Sequence, residues 1–140
     1  MESSTTRRVL IVAYRTAATP LLLDAVRSRA ARPPVSFTVL VPRPYWVPDT
    51  EEAALTLELA LPLLDHAAGD HVDGVVGDPD PFVAVKDVLA CERFDEVIVS
   101  TLPARVSHWL RRDLPSRVEQ LGLPVTVVTA KESTRGPIAG

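Results

Sequence analysis

The chain has 140 residues, about the length of one domain, and 46% of them are hydrophobic, so it can bury a core of its own. Fifteen Lys and Arg against eighteen Asp and Glu leave a net charge of −3, which argues against nucleic acid or an anionic membrane surface as a partner. The single cysteine excludes an intrachain disulfide, and no apolar run approaches the roughly 18 residues of a membrane helix. We therefore expect one soluble, cytoplasmic domain.

Five short runs rich in Val and Ile follow one another along the chain. They are Val9–Ala13, Val35–Val41, Val72–Val76, Glu96–Val99 and Val125–Thr129. Their length and β-branched content, with Pro, Gly or Asp at their flanks, predict strands that are buried on both faces, as in a parallel sheet.

Segments with helical spacing separate these runs. In the first, Thr19 is a plausible N-cap and Pro20 the first helical residue, and the helix should end near Arg32. Asp49 or Thr50 can cap the second helix, because acidic residues follow at its positive end. The apolar residues of this second helix recur every four positions, at Leu55, Leu59 and Leu63.

Prolines shape the later helices. Pro62 should kink the second helix rather than end it. The third helix is predicted over Asp80–Cys91. In the last helical region Pro115 would be costly in a helix interior, so we expect a fresh helix to start at Asp113 or Leu114.

The alternation of strand and helix predicts an α/β fold, an open five-stranded parallel sheet with helices on both faces in three layers. The domain should span residues 7–130, with a disordered tail at 131–140. Ligands of such sheets bind beyond the carboxyl ends of the strands. The loops at that edge are Tyr14–Thr19, Pro42–Thr50, Gly77–Asp80 and Ser100–Asp113.

Most site chemistries lack their motif in these loops. The first loop has neither GxGxxG nor GxxxxGK[ST]. It also has no acidic residue, whereas a response-regulator receiver needs a cluster of acids after its first strand to bind magnesium. His66, His71 and His108 have no metal-ligand spacing, and no GxSxG elbow is present. We predict no catalytic residue and no metal site, and we expect the Cys91 thiol to be buried and structural.

The loop after the fourth strand carries the best candidate for a binding site. Its hydroxyls, backbone amides and arginines could hold an anion, and the relevant residues are Ser100, Thr101, Arg105 and Arg112. The alternative is that these arginines lie on an ordinary solvated helix face. Tyr45 and Trp46, in the Pro-rich loop after the second strand, either anchor a contact or cover the sheet end.

Several segments share their order and spacing with one family. They are Arg8–Ala13, Gly77-Asp78-Pro79, Phe94–Ser100, Arg117-Val118 and Leu123–Val128. Together they resemble the universal stress protein family, which has the adenine nucleotide alpha-hydrolase-like fold, over almost all of residues 8–130. The resemblance implies the strand order 3-2-1-4-5.

Family members that bind ATP have an Asp after the first strand and a G-x2-G-x9-G-[S/T] loop after the fourth. Here the Asp position falls on Tyr14. The glycine positions fall on Ser100, Pro103 and Asp113, the last also matching Arg112. No glycine lies between Gly77 and Gly122, and Pro103 has no N–H to offer a phosphate. The chain thus looks similar to members that do not bind ATP in the family manner.

The resemblance implies a non-enzymatic stress-response or regulatory module without a cofactor, acting through an unknown protein partner. The alternative is a protein that binds ATP, AMP or another anion in a rebuilt pocket, with or without slow ATP hydrolysis. Its ligand-binding residues would be Tyr14, Arg15, Val41, Ser100, Thr101, Arg105 and Arg112. The family pairs its last strand across a dimer two-fold, which predicts a homodimer edge formed by Val125, Thr126, Val127 and Val128. A monomer with a shielded edge is the alternative.

Overall fold

The computed structural model describes residues 6–13, 19–43, 51–101 and 114–129. The strands in these ranges are β1 (Arg7–Val12), β2 (Val35–Pro42), β3 (Asp73–Gly77), β4 (Glu96–Thr101) and β5 (Val125–Thr129). The helices are α1 (Pro20–Ala30), α2 (Glu51–Ala68), α3 (Pro81–Cys91) and α4 (Leu114–Glu119). Each strand that was predicted is present, with its bounds shifted by at most two residues at either end.

All five strands form one parallel sheet in the order β3-β2-β1-β4-β5. The predicted architecture and strand order are therefore confirmed. In the centre of the sheet, Ile11 of β1 lies opposite Val39 of β2 and Ile98 of β4. The strands β3 and β5 are the two edges.

The two faces of the sheet have separate cores. Along β1, Val9 and Ile11 pack in the core that includes side chains of α1 and α2, whereas Leu10 and Val12 pack in the core that includes α3 and α4. All four are fully buried. Alternate side chains of a strand point to opposite faces, so a central parallel strand must be apolar throughout.

Prolines lie at or next to the first residue of α1 and α4, and one lies inside α2. Thr19 and Pro20 open α1 as predicted, but the helix ends at Ala30, two residues before Arg32, where the chain turns towards β2. The helix α2 continues through Pro62 to Ala68, and α4 begins at Leu114 as predicted. No helix in the part of the chain that the structure describes is long and apolar enough to cross a membrane.

The packing face of α2 differs from the one that its leucine spacing suggests. Leu55, Leu59 and Leu63 are exposed. The buried face is formed by Leu57, Ala60, Leu64 and Ala67. The two small residues in that set allow α2 to lie close to its neighbours, which the bulkier face would prevent.

The expectation of a buried Cys91 is wrong, because its side chain is exposed. Cys91 is the last residue of α3, one turn beyond the buried Val88. Phe94, in the turn that follows, fills the core there. The thiol is therefore left at the surface.

Candidate functional site

The sequence predicts a ligand-binding site at the carboxyl edge of the sheet. Val41 near the end of β2 and Ser100 near the end of β4 both lie at this edge, with 2% and 1% of their surfaces exposed. Thr101 ends β4. The remaining predicted ligand-binding residues, Tyr14, Arg15, Arg105 and Arg112, lie outside the described residues, as do Tyr45 and Trp46. The structure therefore brings Val41 and Ser100 to one edge, but buries both.

One of the four loops at this edge, Gly77–Asp80, is described in full, and its polar groups are used by its own backbone. The Oδ1 atom of Asp78 accepts the N–H of Asp80 at 2.9 Å. The Oδ1 atom of Asp80 accepts the N–H groups of Phe82 and Val83, at 2.9 and 3.3 Å. Asp80 is thus the N-cap of α3. A carboxylate already occupies the positive end of this helix, which disfavours a ligand anion there.

Gly77 is needed for packing. A Cβ atom at this position would lie 2.8 Å from both the Cβ of Ala84 and the Cδ1 of Leu40. Both neighbours are fully buried. The missing side chain thus lets α3 approach the sheet closely, and the space in front of the glycine is already occupied by protein. The carbonyl of Gly77 accepts the N–H of Arg43 at 3.0 Å, which extends the contact between β2 and β3 past the strands.

An open surface cavity of about 450 Å³, wide at its mouth, lies at the opposite, amino edge of the sheet. It is lined by the end of α3 and the following turn, residues 89–94, together with Leu121 and Leu123 before β5. Cys91 and Glu92 are in its wall, and Glu92 forms an ion pair with Arg8. None of the described residues that were predicted to bind a ligand lines this cavity.

Within residues 6–13, 19–43, 51–101 and 114–129, no three His, Cys, Asp or Glu side chains form a group that could hold a metal ion. His71 has a close carboxylate, with its Nε2 atom 3.0 Å from the Oδ1 of Asp73, but this pair is exposed.

The structure is similar to that of a universal stress protein from Archaeoglobus fulgidus, with a TM-score of 0.63. The chain has the universal stress protein fold. The superposition covers 87% of this chain and 93% of the other, at 14% sequence identity, so the likeness is one of fold. No family model matches the sequence. A search of curated proteins likewise finds no match.

Within this fold, sequence reasoning identified the Gly77-Asp78-Pro79 segment but not what its residues do. The signal for the N-cap was present, since an Asp directly precedes a Pro that begins a helix. Nothing in the local sequence indicated that Gly77 is needed for packing, because its neighbour Leu40 belongs to a strand that is distant in sequence.

Proposed function

We propose that this protein is a non-enzymatic stress-response or regulatory module with the universal stress protein fold, which does not bind ATP in the manner of the family's nucleotide-binding members. The observation that carries the proposal is the state of the Gly77–Asp80 loop. Its glycine is packed against Ala84 and Leu40. The carboxylate of Asp80 caps α3, and that of Asp78 accepts the N–H of Asp80.

The chemistry of phosphate binding supports this proposal. A phosphate group is held by unoccupied backbone N–H groups and cations, and glycines let the backbone approach it. Here Asp78 and Asp80 place negative charge beside the carboxyl edge. The segment between Ser100 and Asp113 contains no glycine, and Pro103 within it lacks an N–H.

A homodimer joined along β5 is part of the proposal. β5 is an edge of the sheet, and Val127 is 43% exposed. The N–H of Val97 donates to the carbonyl of Pro124 at 3.0 Å. In a parallel ladder, alternate residues turn their backbone groups to the same side, so those of Val125 and Val127 face away from β4. That open row can pair with a second copy of the strand.

The proposal is tested by native purification, mass spectrometry of released small molecules, and titration calorimetry with ATP, ADP and AMP on the stripped protein. We expect no co-purified nucleotide and flat titrations. A bound nucleotide, or a Kd tighter than about 100 μM, equivalent to roughly 5.5 kcal/mol, would overturn it. If binding is found, its loss in both Arg105→Ala and Arg112→Ala would identify the rebuilt anion pocket.

A further inference from the structure

We draw no further inference here: the strongest candidate, the open cavity at the amino edge of the sheet with the exposed Cys91 in its wall, carries nothing because the thiol is a lone cysteine and none of the described residues shows what would occupy the cavity.

Discussion

Arg29 of α1 and Glu96 at the start of β4 form a two-pronged ion pair, with Nη2 2.7 Å from Oε2 and Nε 3.0 Å from Oε1. The two side chains are only 11% and 20% exposed. Arg7 adds a third contact to Glu96 at 3.3 Å. Hydrogen bonds from Arg29 hold the pKa of Glu96 below its ordinary value of 4.5, although burial acts in the opposite direction. The pair therefore fastens α1 to the amino edge of the sheet.

Replacing Glu96 should destabilise the fold. Glu96→Gln leaves the guanidinium of Arg29 largely buried without its carboxylate, so we expect the free energy of unfolding in urea to fall by about 1–3 kcal/mol. Glu92→Gln is the matched control, because Glu92 and Arg8 form an ion pair that is far more exposed. It should cost less than about 1 kcal/mol. Equal losses in the two variants would contradict this account of the Arg29 contact.

Glu96 also predicts how stability depends on pH. Its pKa is lower in the folded state, so its contribution is complete above the unfolded value and is lost as pH falls through the folded pKa. We expect the melting temperature to decline as pH is lowered from about 6 to about 3. In Glu96→Gln the decline should be shallower, since this contribution is missing. A variant with the parent's slope would show that other carboxylates account for all of the acid sensitivity.

Gly77→Ala tests whether this glycine is there for packing. The new Cβ would meet Ala84 and Leu40 at 2.8 Å, and overpacking of this kind costs about 1–3 kcal/mol. Gly74→Ala is the control in the same strand, because its Cβ would lie 3.2 Å from the flexible ends of Leu57 and Leu61. We expect Gly74→Ala to cost at most half as much in thermal or urea unfolding. A fully stable Gly77→Ala protein would refute the packing role.

Val127→Lys tests the proposed dimer. A lysine on an edge strand disfavours pairing with another strand, so the variant should sediment as a monomer while the parent sediments as a dimer. Val83→Lys, at a valine of similar exposure on α3, is the control and should keep the parent's mass. A monomeric parent, or a dimeric Val127→Lys protein, would argue against pairing through β5.

The sheet was predictable because the local signals agree with the global packing. The length and β-branched content of five runs favoured strands, and the structure confirms all five, although the edge strands β3 and β5 are only partly buried. Thr19, Pro20 and Leu114 marked helix starts that the structure confirms. The strand order did not follow from periodicity. It came with the family resemblance, and the observed topology agrees with it.

Hydropathy could not predict which face of α2 packs against the sheet, because both the buried and the exposed face contain leucines. Leu55, Leu59 and Leu63 have a perfect period of four, but Ala60 and Ala67 lie on the buried face, where small side chains let the helix approach the sheet closely. The size of the side chains determines which of the two apolar stripes is buried, and a pattern of hydrophobicity does not contain that information. The ligand role of Tyr14, Arg15, Arg105 and Arg112 stays a prediction.

The position of α2 has a consequence for the proposed dimer. α2 packs against β2 and β3, at the edge of the sheet opposite to β5. In a homodimer joined along β5, ten strands would lie side by side, so the two outer β3 strands would be about 43 Å apart, at roughly 4.8 Å per strand. The two copies of α2 would then lie towards the far ends of the dimer, and neither would take part in the contact between the subunits.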